Sequence, residues 1–275
     1  MITFPNAKIN LGLNIVSRRP DGYHDLETVF YPIGLTDILE IVPAKAGEPS
    51  TLECYGRTVD CPVEKNLVMK AYRLIEREAG APAVAMHLYK HIPDGAGLGG
   101  GSSDASAAML MVNEMFNLGI SRERLAAMAA TIGADCPFFI YNTPMMATGI
   151  GDVLTPASVS LKGKTLLLVK PDVSVPTKVA YSHVTPAPSQ AELTTQLALP
   201  VEQWKEAGVK NDFEPSVMGA FPELATIKEQ IEQNGALYAS MSGSGSSIFG
   251  IFGSANMAEE AARKFSEIAH YVIAL

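Results

Sequence analysis

An α+β fold is predicted for this chain, on three observations. A strand of clean period-2 alternation opens it. A glycine run feeds an apolar helix a third of the way along. The C-terminal part then alternates strands and helices in a split strand–helix–strand order of ferredoxin type.

The elements follow in order. Ile9, Leu11, Leu13 and Ile15 alternate with Lys8, Asn10, Gly12 and Asn14, so the aliphatics should face a core. Lys8, Asn10 and Asn14 should then share the opposite face. A turn at Arg19-Pro20-Asp21-Gly22 leads to strands over 26–33 and 38–42. Asn66 to Ala79 reads as a helix with Leu67, Ala71, Leu74 and Ile75 on one face and Gly80 as its stop. Val84 to Tyr89 is a strand running into the glycine loop. The helix after the loop continues to Phe116, and a further helical pattern covers 121–132. The short apolar run Phe138 to Tyr141 is expected to be a buried strand.

The loop-rich stretch 154–162 is the expected domain boundary, dividing the chain into 1–155 and 156–275. Beyond it come a strand at 165–169, a Pro- and Ala-rich helical region and a helix at 222–233. A strand at 237–241, a tight loop at 242–246, a strand at 248–252, a helix at 255–268 and a strand at 271–275 close the chain. There is no internal repeat.

Composition narrows the function classes. The chain has 275 residues with 47% hydrophobic and 18% charged, enough to bury a full core. Its net charge of −8 argues against nonspecific nucleic-acid binding. The N-terminus carries neither a basic nor an apolar leader pattern, and no apolar run reaches spanning length, so no membrane partner is expected. Cys54, Cys61 and Cys136 are odd in number and lack metal spacing, which reads as reduced thiols in a cytoplasmic protein.

The segment from Pro93 to Ala105 carries the most chemistry. Five of the seven residues from Gly95 to Gly101 are glycine. Such a run opens left-handed backbone conformations and removes the Cβ atoms that hold a ligand away from the main chain. Where it enters a helix, unsatisfied N–H groups and the helix dipole favour an anion, most often phosphate. No Gly-Lys-Ser/Thr follows, so it is not a Walker A loop. Gly95, Gly97 and Gly100 satisfy the bare dinucleotide fingerprint, yet a helix stands where that fold needs its second strand. The plainer alternative is a flexible Gly/Ser surface linker, though such linkers seldom open into an apolar helix.

Four separated features together resemble one family: Lys8-Ile9-Asn10-Leu11, Asp21-Gly22-Tyr23-His24, the Pro93–Ala105 loop, and Met241-Ser242-Gly243-Ser244-Gly245-Ser246. They are similar to the GHMP small-molecule kinases. Arg18 to His24, taken with Lys8 to Asn10, points to the branch whose acceptor is a cytidine-diphosphate-linked methylerythritol in the non-mevalonate route to isoprenoids. Asp94 departs from the neutral or small residue common in the family loop, and 182–210 matches weakly.

The resemblance implies an N-terminal ribosomal-protein-S5-like subdomain and a C-terminal ferredoxin-like one, with the active site in the cleft between them. It implies ATP, with Mg²⁺, held by the loop residues Pro93, Asp94, Gly95, Ala96, Gly97, Leu98, Gly99, Gly100, Gly101, Ser102 and Ser103. It maps the catalytic pair onto Lys8 and Asp135, and the substrate contacts onto Asn10, Tyr23 and His24. It assigns no metal ligands. A monomer or weak homodimer is expected. The alternatives are a GHMP kinase with a smaller alcohol acceptor and a catalytically inactive nucleotide sensor on the same fold.

The residues taken alone carry plainer readings. Lys8 reads as a solvated lysine on an exposed strand face. Asp135 reads as a turn carboxylate or local cap. Tyr23 and His24 read as strand residues after a hairpin turn, with Tyr181 a second stacking face if they read a pyrimidine. Ser102 and Ser103 read as helix N-caps. Ser242 to Ser246 is a tight connection or a second phosphate cradle. Asn66 to Val68 is a helix start or part of an adenine pocket.

Overall fold

The computed structural model describes residues 1–182, 184–189 and 191–275. In chain order its regular elements begin β1 (Ile2–Thr3), β2 (Asn6–Arg18), β3 (His24–Thr36), β4 (Ile38–Pro43), β5 (Thr51–Gly56), α1 (Leu67–Ala79) and β6 (Val84–Lys90). They continue α2 (Gly100–Met115), α3 (Arg122–Ala130), α4 (Cys136–Tyr141), β7 (Met145–Thr148), β8 (Val153–Pro156), β9 (Thr165–Lys170), α5 (Thr177–Tyr181) and α6 (Leu193–Leu197). The last are α7 (Glu214–Ala220), α8 (Pro222–Gln233), β10 (Tyr238–Met241), β11 (Ile248–Phe252), α9 (Ala255–Ala262) and β12 (Ala269–Ala274).

Two compact units form, neither contiguous in sequence. One gathers 1–7, 35–94 and 99–143; the other gathers 8–34, 95–98 and 144–275. The first unit holds a sheet of order β1-β4-β6-β5, antiparallel except for the parallel β5–β6 pair. Helices α1 to α4 supply its core with Met69, Tyr72, Ile75, Met109, Val112, Leu125 and Ile140, against Leu39, Ile41, Met86 and Leu88 from the strands.

Helix α1 is capped as its sequence predicts. Asn66 Oδ1 accepts from Val68 N at 2.9 Å, and Gly80 closes the helix at φ +66°. The run Phe138 to Tyr141 is the exception, because it is helix α4 and not a strand. Pro137 sits in its first turn and Asn142, at φ +53°, terminates it. A four-residue apolar run has no period to separate the two states, and burial among helices decided it.

The second unit holds two sheets, of order β2-β3-β7-β8 and β10-β11-β9-β12. Every pair in the latter is antiparallel, with α8 against β10 and β11 and α9 against β9 and β12. That is the ferredoxin-type arrangement expected. Helix α9 is shorter than expected and passes into a 3₁₀ turn at Arg263–Phe265. Strands β5, β7 and β8 were not predicted; each is only four to six residues long. Among the described residues no helix is long and apolar enough to cross a membrane.

Strand β2 breaks its own alternation. Gly12 takes φ +68°, a left-handed residue of the kind that makes a bulge. Leu13 and Ile15 join the second unit's core cluster with Val169, Phe213 and Met241, and Ile9 and Leu11 do not belong to that cluster. Asn14 lines a cavity of about 580 Å³ with Ser189, Lys210 and Asp212, apart from Lys8 and Asn10. The expected grouping of all three polar residues on one face is therefore corrected.

The first unit buries a charge cluster that the sequence did not announce. Lys90 Nζ, at the end of β6, donates to Asp37 Oδ2 and, at 2.7 Å, to Asp104 Oδ2 in α2. Asp37 Oδ1 also accepts from the backbone N–H of Ile92 at 2.8 Å. Asp104 Oδ1 is buried and has no hydrogen-bond partner among the described residues. Burial pushes the Asp104 carboxyl up to about 7, with Asp37 adding to the rise and Lys90 opposing it. A folded-state value above the unfolded one means the fold holds a proton that the unfolded chain releases near pH ~4. Stability should therefore fall as pH rises from roughly 4 to 7 and level off above that. Asp104→Asn should flatten this fall; thermal melts of both proteins across the interval check it, and parallel curves would remove Asp104 as the titrating group.

Candidate active site

The glycine loop follows directly from β6. Gly95, Gly97 and Gly99 take φ of +59°, +73° and +70°, so alternate residues are left-handed as the composition predicts. In the second unit the loop is held by its carbonyls. Lys8 N donates to Leu98 O at 2.9 Å, Ser247 N to Ala96 O at 3.3 Å, and Ser242 Oγ to Gly97 O at 2.9 Å. The N–H groups of residues 95–98 donate to no described residue.

In the first unit, Gly99 is the N-cap of α2, and no side chain caps the helix. Ser102 and Ser103 lie inside its first turn, so the N-cap expectation for them is corrected: the chain enters the helix through a left-handed glycine. A Cβ on Gly100 would stand 2.9 Å from Ile92 Cγ2 and 3.3 Å from Lys90 Nζ, which explains the glycine there.

Glycine at 97 has a different cause. A Cβ there would stand 2.0 Å from Ser242 O, so the backbone of 95–98 lies directly on the backbone of the second Gly/Ser loop. That second loop is itself buried. Ser242 N donates to Ser247 O at 2.9 Å and Ser246 Oγ to Val173 O at 2.5 Å.

Lys8 is only 3% exposed, which overturns its reading as a solvated lysine. Its Nζ donates to Asn10 Oδ1 at 2.7 Å and stands 4.9 Å from the centroid of the Phe30 ring. Asn10 Nδ2 donates to Thr28 Oγ1 at 2.9 Å, and Thr28 Oγ1 donates to Gly12 O at 2.5 Å. The bulge at Gly12 thus supplies the carbonyl that orients Thr28, and through it Asn10 and Lys8. Thr28 was missed in the sequence, where a threonine in a strand carries no signal.

Asp135, in the first unit, is the residue before α4. It is partly exposed and its carboxylate does not cap the helix. The next residue, Cys136, is fully buried, and burial pushes its thiol up to about 11.

The turn before β3 forms as expected. Gly22 takes φ +90° and Tyr23 N donates to Asp21 Oδ1 at 3.0 Å. Tyr23 is 61% exposed. His24 stacks on Tyr181 with centroids 4.8 Å apart and planes 24° apart, and Tyr181 meets the edge of Phe213 at 4.7 Å. Tyr181 therefore partners His24 and not Tyr23.

In the first unit a cavity of about 170 Å³ opens among Asn66, Leu67, Leu88, Lys90, Asp94 and Gly101. Asn66 thus caps α1, as its helix-start reading expects, and also lines this cavity. Asp94 and Gly101 bring two of the predicted loop residues to the same cavity. Among the described residues no group of three or more His, Cys, Asp or Glu side chains could hold a metal ion.

Comparison with known proteins places this geometry. Residues 66–143 match the model of the GHMP kinases N-terminal domain and residues 199–270 that of the GHMP kinases C-terminal domain. The class defined by fold and site is therefore the GHMP kinases. The 4-diphosphocytidyl-2-C-methyl-D-erythritol kinase of Parabacteroides distasonis is 54% identical over 252 residues, covering 92% of each chain. That of Cytophaga hutchinsonii is 45% identical over 253 residues with the same coverage. A crystal structure of 4-(cytidine 5'-diphospho)-2C-methyl-D-erythritol kinase superposes with a TM-score of 0.84 at 32% identity, over 99% of this chain and 98% of the other. The chain belongs to the 4-diphosphocytidyl-2-C-methyl-D-erythritol kinase family.

The Gly97 contact makes a direct test possible. Gly97→Ala places a Cβ into Ser242 O and an alanine at positive φ, so it should cost on the order of 1–3 kcal/mol or more and weaken ATP binding. Gly95→Ala is its control, because a Cβ there meets nothing within 4 Å. Thermal melts and calorimetric ATP titrations should show a large effect for the first and a small one for the second; equal effects would make backbone conformation, and not loop contact, the reason for glycine at 97.

Proposed function

We propose that the chain transfers the γ-phosphoryl group of ATP to a hydroxyl of 4-diphosphocytidyl-2-C-methyl-D-erythritol, using Lys8 and Asp135 as its catalytic pair. The observation that carries this reading is the polarity of the glycine loop. Its carbonyls at 96–98 are all taken by protein donors, and its N–H groups are left for an anion.

Phosphoryl transfer depends mainly on positioning and on stabilising charge at the transferring group. The N–H groups of the glycine loop and the first turn of α2 hold the nucleotide phosphates, with Ser102 and Ser103 alongside. The first-unit cavity at Asn66, Leu67 and Leu88 is apolar enough on one side to take the adenine. Lys8, desolvated and held by Asn10, is a fixed cation for the transferring phosphoryl group. Asp135 accepts the proton of the attacking hydroxyl, whose oxygen forms the new P–O bond as ADP leaves. The stacked His24–Tyr181 pair offers aromatic and ring-nitrogen groups to a cytosine, and the exposed Tyr23 a further face.

Mg²⁺ bound with the nucleotide would supply charge neutralisation, with Ser102 or Ser103 the hydroxyls at hand to hold it. In this reading 1–155 carries the nucleotide functions and 156–275 completes the substrate side, and the protein works in the cytoplasm as a monomer or weak homodimer.

A coupled ADP-release assay tests the acceptor. Turnover with the diphosphocytidyl substrate should exceed that with mevalonate, homoserine or galactose by orders of magnitude; comparable turnover with any of these would reassign the acceptor. The catalytic pair is tested separately. Asp135→Asn should lower kcat by on the order of 10²-fold with little change in KM, the scale of general-base contributions. Lys8→Ala should act on the same step, so the double variant should be little worse than the poorer single one. A near-parental kcat for Asp135→Asn would leave Asp135 a turn residue.

A further inference from the structure

Asn211 lies outside every motif that identified the family, yet it uses its whole carboxamide. Its Nδ2 donates to Met241 O and to Gly243 O, each at 2.8 Å, and its Oδ1 accepts from Phe213 N at 2.9 Å. It is 3% exposed. The two carbonyls flank Ser242, the residue whose hydroxyl and carbonyl both meet Gly97.

The backbone around Asn211 is tied to β2. Leu13 N donates to Lys210 O and Asp212 N to Leu13 O, both at 2.8 Å, and Ile15 N donates to Asp212 Oδ2 at 2.8 Å. Strand β2 also carries Lys8, whose N–H holds Leu98 O, and Asn10, whose Oδ1 would stand 3.4 Å from a Cβ on Gly243. The contacts therefore close a ring inside the second unit. It runs from β2 through Asn211 to the 241–243 carbonyls, from Ser242 to Gly97, and along the glycine loop through Leu98 back to Lys8.

We propose that Asn211 is a positioning residue for phosphoryl transfer, setting the place of the Ser242 loop and through it the glycine loop relative to Lys8. The proposal rests on the kinase reading, but its effect on ATP binding is separable from the acceptor's identity. A side chain is needed here that donates twice to two convergent carbonyls and accepts once. Only a carboxamide of this length does so without bringing a charge. Loss of the two donors would take from Gly243 O its donor and leave Met241 O with only the 3.4 Å contact from Ser240 Oγ, and the loop would move to find other partners.

The test compares the parent with Asn211→Ala, Asn211→Asp and Val217→Ala. The last truncates a side chain of the same unit's core that belongs to neither loop, and calibrates the effect of lost stability. Calorimetric ATP affinity without acceptor, and kcat and KM with it, are measured alongside thermal melts. Asn211→Ala should weaken ATP binding and lower kcat/KM by roughly 10-fold or more, the scale of small misplacements at a positioned site, with Val217→Ala near parental in both. Should Asn211→Ala not fold, Asn211→Asp carries the test through pH. A buried acid facing two carbonyls has a raised pKa, and only its protonated form donates. Its kcat/KM relative to the parent should rise as pH is lowered from about 8.5 to about 6. ATP affinity and kcat/KM within twofold of the parent, or a loss matched by Val217→Ala at equal melting temperature, or a pH-independent ratio for Asn211→Asp, would overturn the proposal. If the parent binds ATP but does not turn over the diphosphocytidyl acceptor, the functional reading fails while the affinity comparison still decides the role of Asn211.

Discussion

The contact on which the second unit's site depends is backbone against backbone, Gly97 on Ser242. No side chain fits between them, since even a methyl group at 97 would stand 2.0 Å from Ser242 O. This is why position 97 is glycine. Close approach spends the loop's carbonyls on protein donors and leaves the opposite edge, its N–H groups, unused. A loop anchored through its acceptors becomes a cradle of donors without any lysine or arginine. In a chain of net charge −8, the nucleotide site proposed for this loop would rest on that local arrangement against the global field.

Buried charge is handled differently in the two units. Lys8 donates to a neutral amide and stands over the face of Phe30. Lys90 meets two carboxylates, Asp37 and Asp104, and these raise its pKa over the opposing pull of burial. The second arrangement suits a fixed structural tie between β6 and α2. Removing one partner of such a tie leaves an uncompensated buried charge, whereas neutralising the surplus carboxylate does not.

Much of the fold was legible because it rests on short-range chemistry. The caps of α1, the left-handed glycines of the loop, the turn at Asp21-Gly22 and the strand–helix order of the last third all rest on local backbone preference. The failures have physical reasons too. Phe138 to Tyr141 has no period, so tertiary burial chose helix. Gly12 resets the alternation of β2, and one left-handed residue moved Asn14 to a different environment from Lys8 and Asn10. Strands β7 and β8 are too short to show a pattern. Thr28, Asn211, Asp37 and Asp104 are ordinary polar residues whose partners are distant in sequence, as with Ser242 and Gly97, 145 positions apart.

By itself the sequence determined where the backbone must be glycine, which helices start and stop where, and which motifs resemble a GHMP kinase. These follow from dihedral freedom, capping and side-chain chemistry within a few residues. Tertiary structure alone decided that Lys8 is buried, that Tyr181 stacks on His24, and that Asn211 holds the second loop. Those depend on which distant groups exclude water together, and a hydrogen bond between residues far apart in the chain exists only once the core between them has formed.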